Sequence, residues 1–301
     1  MEFIKPGTHF DFVGKMKIAL GISAALIIIS ILSVVLRGGL NFGIDFAGGT
    51  IIQVKFSKAA PADAIRNAFA GINVGDAIIQ EIGENEVIVR TNQPMTKELQ
   101  VKVAEAMTGQ FGAGAYEIRR IEFVGPKVGR DLTNKAILSI VFAWIGMLIY
   151  IAWRFEFRYG LGAIIALIHD TIITIGALSL LNKEFTLVIV AALLTIIGYS
   201  INDTIVVFDR IRENRKKDLK KSLAEIINSS VNETLSRTIL TAFTVILVLL
   251  SLFFLGGPVI HDFAFALLVG VVIGTYSSIF IASPIVLAFE NIQISKGKRK
   301  K

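Results

Sequence analysis

Apolar runs long enough to cross a lipid bilayer recur six times in this chain, and no other feature limits its fold as strongly. They cover roughly Lys17–Leu36, Lys135–Trp153, Leu161–Leu181, Phe185–Phe208, Arg237–Leu255 and Phe263–Phe289. A helix needs about 20 predominantly apolar residues to span the hydrocarbon. Inside the bilayer only helices and closed barrels satisfy their own backbone polar groups. The expected architecture is therefore an α-helical integral membrane protein with a six-helix transmembrane bundle. Composition agrees: 53% of the 301 residues are hydrophobic and 18% are charged, whereas soluble domains are about a quarter charged.

Lys15 and Lys17 ahead of the first run imitate a signal peptide. The run Ile18–Leu36 is longer than a usual h-region, however, and no A-x-A-like site follows it, so it reads as an uncleaved first span. The absence of cysteine excludes disulfides, thiolate metal sites and cysteine nucleophiles. Three histidines are too few for a histidine-rich metal cage, so no metal and no cofactor is expected. The net charge of +7 lacks an aromatic-interleaved basic module, which argues against a nucleic-acid partner.

The short connections orient the spans. Arg154 and Arg158 lie between spans two and three, RIRENRKKDLKKS lies between four and five, and the tail reads KGKRKK. The connections NKE and GGPVIHD carry at most one Lys. The positive-inside rule then places both termini in the cytoplasm and the long segment after span one outside it. The expected layout is a cytoplasmic start and first span (1–37), an extracytoplasmic domain (38–130), and spans two to six (131–290) with a basic cytoplasmic loop at 209–236. A basic cytoplasmic tail (291–301) closes the chain.

The outer segment has a legible pattern. TIIQVKF alternates, with Ile52, Val54 and Phe56 on one strand face. After Pro61, Ile65, Ala68 and Phe69 recur at helical spacing. DAIIQEI and EVIVRT are strands separated by the hairpin signal Gly83-Glu84-Asn85. Thr96 is placed to cap a helix carrying Leu99, Val103 and Met107, and AYEIRRIEF is a last strand. The order βαββαβ is the α+β ferredoxin-like plan. In residues 209–236, Ile211, Leu219, Leu223, Ile226 and Ile227 interleave with Arg and Lys. One or two amphipathic helices on the membrane surface are expected there, compatible with a partner-docking loop.

Polar side chains within the spans are the candidate site. Asp203 lies roughly 10 Å inward from Arg210 at 1.5 Å per residue. An ionised Asp at a helix centre costs about 2.5–3.5 kcal/mol. That cost falls on the charged form only, so a carboxyl here is suited to taking up and releasing a proton. Tyr199 and Ser200 precede it by one turn, and Asn202 is adjacent. His169 and Asp170 fall near the middle of span three. Glu233 and Arg237 open span five, and Thr275, Ser277 and Ser278 lie in span six. These groups should face one another or a hydrated cleft rather than lipid. Read alone, His169 and Asp170 fit a helix–helix clamp as well as a proton route. Arg237 on its own fits an interface anchor, and Asp209 with Arg210 an interfacial charge pair. Gly270 and Gly274, like Gly21 and Ala25, have the small-x-x-x-small spacing of packed membrane helices.

Longer motifs add a resemblance. GIDFAGG at 43–49, FVGPKVG at 123–129, GYSINDTIVVFDRIREN at 198–214, ETLSRTILT at 233–241, IHDFAFALLVG at 260–270 and GTYSSIFIASP at 274–284 occur in order along nearly the whole chain. Together they resemble the SecF family, the smaller partners of SecD in bacterial protein export. The resemblance implies half of a resistance–nodulation–division (RND) type unit, with a separate SecD as obligate partner. It also implies a non-enzymatic subunit that uses the proton gradient to promote late export through the SecYEG channel, with YajC and YidC as further possible partners. The translocating polypeptide would meet the outer domain. Asp203 and Arg237 match the family positions tied to proton conduction. The competing readings are a proton-coupled RND-type small-molecule exporter half, an intramembrane aspartyl protease using Asp170 and Asp203, and a passive scaffold.

Overall fold

The computed structural model describes residues 9–58, 62–72, 74, 77–82, 85–91 and 93–290, with backbone alone at 258 and 259. Pro61, the loop residues Gly83 and Glu84, and the basic tail 291–301 lie outside these. The chain separates into two compact units, one of them Phe42–Ile137.

The smaller unit opens with a single helical turn, α2 (Ile44–Ala47), after α1 of the larger unit (Phe12–Leu36). Then follow β1 (Gly49–Phe56), α3 (Ala62–Ala70), β2 (Ile78–Glu81), β3 (Glu86–Thr91), α4 (Lys97–Phe111) and β4 (Tyr116–Val124). The sheet order is β2-β3-β1-β4, antiparallel throughout, which is the ferredoxin-like arrangement. Ile52, Val54 and Phe56 of β1 are buried on one face against Ile65 and Phe69 of α3 and Val103 and Met107 of α4. Each such side chain contributes about 1.5–3 kcal/mol by leaving water. Thr96 caps α4, its Oγ1 accepting from the Leu99 amide at 3.2 Å. Gly48, at φ 76°, sits where a Cβ would lie 3.3 Å from Val124 O and from Pro126 Cα. Both the left-handed backbone and the crowding there require glycine.

The larger unit contains α1, α5 (Pro126–Arg154) from Leu138 onward, α6 (Phe157–Leu180), α7 (Leu187–Lys217), α8 (Leu223–Leu255) and α9 (Gly257–Ser277). After Ser277 the helix widens into a π turn, Ser278–Ala282, and then continues to Glu290. Six helices are long and apolar enough to cross a membrane. The apolar windows of α6, α7 and the last helix are more than half buried, whereas those of α1, α5 and α8 are less than a quarter buried. Three helices thus form the interior and three turn apolar faces outward, as a lipid-embedded bundle requires.

Close approach depends on glycine. A Cβ at Gly270 would fall 2.2 Å from Ile196 Cδ1, and one at Gly274 would fall 2.9 Å from Ser200 Cβ. The Gly270/Gly274 pair therefore seats α9 on α7. Gly21 faces open space, so its small-residue spacing in α1 serves no such contact.

One expectation needs correction. Residues 209–236 are not separate surface helices. α7 runs on to Lys217 and α8 begins at Leu223, so the two spans are extended and a short turn joins them. Ile211, Leu223, Ile226 and Ile227 are buried in the core of the bundle, and only Leu219 stands out. Ser222 and Glu225 form a capping box that starts α8 in this turn. Asp209 and Arg210 also do not pair with each other: Asp209 meets Arg154, and Arg210 meets Glu213 and Glu233.

Candidate functional site

Two polar groupings are centred on buried carboxyls in the interior of α6, α7 and α9, and the second also takes in Arg237 of α8, which is itself exposed. The first is centred on Asp170. Its Oδ1 lies 2.9 Å from His169 Nδ1. Its Oδ2 accepts from Ser200 Oγ at 2.6 Å and from Ser277 Oγ at 2.8 Å. One carboxyl therefore ties three helices together, and all the groups involved are buried. The His169 ring stacks on Tyr276, with centroids 6.2 Å apart. The Tyr276 hydroxyl donates to Ala19 O at 2.6 Å and lies 3.0 Å from Ser23 Oγ, which links α1 to the same cluster. His169 Nε2 is buried without a hydrogen-bond partner.

The second grouping surrounds Asp203, which is only 2% exposed. Its Oδ2, Tyr199 Oη and Thr275 Oγ1 are all buried and lack hydrogen-bond partners. The Asp203 carboxyl interacts with the charge of Arg237 and with the Thr275 hydroxyl. Tyr199 in turn neighbours Thr275 and Thr241. None of these pairs reaches hydrogen-bonding geometry. Asp203 and Tyr199 come from α7, Arg237 and Thr241 from α8, and Thr275 from α9. Thr241, one turn after Arg237, was not singled out in the sequence, although i and i+4 residues share a helix face.

The two groupings differ in kind. Around Asp170 each acceptor oxygen has a donor. Around Asp203 an acceptor oxygen and two hydroxyls are close together yet unpaired, and a buried polar group left so costs about 1–3 kcal/mol. A proton on the carboxyl or a bridging water would remove that cost. Ser200 belongs to the Asp170 cluster, not to the Asp203 one. Asn202 is exposed, since successive residues on a helix are about 100° apart. Ser278 only donates back to Thr275 O. Glu233 pairs with Arg210 rather than with Arg237. Asp170 and Asp203 share no hydrogen bond, so they do not form the proton-sharing dyad an aspartyl protease needs.

Comparison with known proteins agrees with this architecture. Residues 103–292 match the family described as protein export membrane protein SecD/SecF, C-terminal, and residues 37–60 match the SecD/SecF GG motif. The protein translocase subunit SecF of Magnetococcus marinus is 50% identical over 100% of this chain and 97% of its own length. The chain belongs to the SecF family. The SecF subunit of Calditerrivibrio nitroreducens is 46% identical over 97% of this chain and 98% of its own. The crystal structure of SecDF from Thermus thermophilus, a translocon-associated membrane protein, superposes with a TM-score of 0.83 at 36% identity over 95% of this chain. SecDF in its super-membrane-facing form gives 0.72 at 36% identity over 100% of this chain. The chain spans about two-fifths of those two chains, 39% and 41% respectively. Family membership and six spans together make this a multi-pass membrane protein.

Proposed function

We propose that this chain is a proton-coupled accessory subunit of the Sec protein-export machinery, working in the plasma membrane beside a SecD-like partner. The observation that carries the reading is Asp203: a carboxyl sealed inside the bundle with an unpaired oxygen, near the Arg237 guanidinium. In this reading Asp203 takes up and releases the proton, and Arg237 governs the exchange by favouring the bare carboxylate. Tyr199, Thr241 and Thr275 offer hydroxyls for a relay. The Asp170 cluster, with His169, Ser200 and Ser277, holds the helices that frame it.

Several observations support the remaining parts. Relatives of near-identical length are named protein translocase subunits, which favours polypeptide export over small-molecule efflux. The solved relatives are SecDF chains more than twice as long, so a separate SecD would supply the rest of the unit. Phe10 and Phe12 meet α8 at Asn228 and Asn232, and Glu290 meets Arg158 and Arg215. The first and last described residues thus lie at the bundle end rich in Arg and Lys, which we assign to the cytoplasm with both termini. Residues 38–130 are then extracytoplasmic, where an emerging polypeptide would meet them. The channel partner in this scheme is SecYEG, with YajC and YidC alongside.

One proton crossing 100 mV releases about 2.3 kcal/mol, so several protons must drive any large conformational step. The test replaces Asp203 with Asn, which keeps size and polarity but cannot ionise. Proteoliposomes holding the variant with its partner should insert it normally and lose proton-gradient stimulation of export. Full retention of that stimulation would refute the proposal.

A further inference from the structure

At the Arg-rich end of the bundle, α6 and α7 leave a cavity of about 390 Å³. Phe155, Tyr159, Arg212, Arg215, Lys216 and Leu219 line it, with Glu156 beside them. It is separate from the Asp203 and Asp170 groupings, none of whose residues lines it.

Charge is not balanced here. Arg158 pairs with Glu156 at 2.7 Å and with Glu290 Oε2 at 3.2 Å. Arg215 takes the other oxygen of Glu290 at 3.3 Å. Two carboxylates therefore serve Arg158 and Arg215. Among the described residues Arg212 reaches only the backbone carbonyl of Arg154, at 3.4 Å. Lys216 has no acidic partner among the described residues. Two cationic side chains remain uncompensated, and a third, Arg215, has its Nη1 buried with no acceptor. Buried donors in native proteins are nearly always paired, so this one calls for an acceptor.

The apolar side of the cavity is equally specific. Leu219 is 87% exposed at its mouth, and Phe155 forms part of the wall. Trp153 at 85% and Phe157 at 65% are bare on either side of the same turn, the aromatic placement of a bilayer boundary. A soluble phosphate ester would use the cations and leave Leu219 idle.

We propose that this cavity binds the headgroup of an anionic phospholipid. Arg212, Arg215 and Lys216 grip the phosphate, while Leu219 and Phe155 lie along the glycerol and upper acyl chain. Guanidinium groups match phosphate oxygens through paired N–H donors, and basic pockets between helices at the membrane surface suit such lipids.

Native mass spectrometry of the delipidated full-length protein, with its membrane partner where one copurifies, provides the test. Dioleoyl phosphatidylglycerol, dioleoyl phosphatidylcholine and glycerol 3-phosphate are titrated separately, and the dissociation constant of the first bound molecule is read. Phosphatidylglycerol should bind about tenfold more tightly than phosphatidylcholine. The double variant R212Q/K216Q should bring that ratio close to one, and K216Q alone should lower it by about threefold. Neither replaced side chain holds an ion pair, so both variants keep the fold. Leu219→Ser should weaken both lipids. Equal binding of the two lipids to the wild type, or an unchanged ratio in the double variant, overturns the proposal. Glycerol 3-phosphate binding as tightly as phosphatidylglycerol overturns it as well, because the ligand is then a free phosphate ester.

Discussion

Ser200 and Ser277 stand on different helices, yet both donate to one atom, Oδ2 of Asp170, at 2.6 and 2.8 Å. Interhelical hydrogen bonds in membranes average about 0.6 kcal/mol and reach about 1.7. Ser200→Ala and Ser277→Ala should each lower stability by about that amount. The double variant should exceed the sum, since either serine alone still serves the shared oxygen and only the double change strands it. Asp170→Leu should cost more, as it strands the Ser200 hydroxyl and the His169 ring, while Ser277 keeps Gly274 O as an acceptor at 3.2 Å. Unfolding midpoints in detergent, followed by helical circular dichroism, provide the measurement.

Gly274 lets α9 approach α7 at Ser200, next to the bond from Ser277 to Asp170. Gly274→Val should force α9 off α7, weaken the bond from Ser277 to Asp170 and destabilise the protein by about 1–3 kcal/mol, the range for overpacking. Gly21→Val is the control: open space at Gly21 predicts little change. Equal losses in both variants would show that α9 is not seated on α7 by its glycines.

The N-terminal segment is held by two asparagines of α8. Asn228 Oδ1 accepts from the Phe12 and Val13 amides at 2.8 and 3.2 Å, and Asn232 Oδ1 accepts from the Phe10 amide at 2.7 Å. Their Nδ2 groups return the contact to Phe10 O. Asn228→Leu with Asn232→Leu should speed amide hydrogen exchange at residues 10–13 by about tenfold or more, equivalent to about 1.4 kcal/mol. Export activity should respond less than in Asp203→Asn.

In the smaller unit Met107 is fully buried among Ile52, Ile65 and Phe69. Met107→Ala should cost about 2–5 kcal/mol. Exchange of the β1 and β3 amides should rise together, while exchange in α6 and α7 of the larger unit stays unchanged.

Much of this was legible in the sequence because each element repeats a short-range pattern. The alternation of Ile52, Val54 and Phe56, and the four-residue spacing of Leu99, Val103 and Met107, settle which faces are buried before any tertiary contact is known. The same local logic fails where partners come from afar. Nothing near Ser200 in the chain indicates that it serves Asp170 rather than Asp203, three residues away. That choice depends on how α6, α7 and α9 are rotated against one another. Asn202 gained false prominence by being adjacent to Asp203, and the helical turn sends it outward. Residues 209–236 misled because charged residues on the exposed side conceal that Ile211, Ile226 and Ile227 continue the buried stripe of two spans. Thr241 was within reach of the sequence, one turn beyond Arg237.

The π turn at Ser278–Ala282 has a consequence for aim. A wide turn accommodates one more residue than an α-helical turn, and one residue corresponds to about 100° of rotation. Upstream of it, Ser277 points at Asp170; downstream, Ala282 and Val286 press on Gly162. With regular winding throughout, satisfying the serine would have swung Ala282 and Val286 away from that glycine. The bulge acts as a swivel fixed at one setting, letting a single rod keep both appointments with the same neighbour, α6.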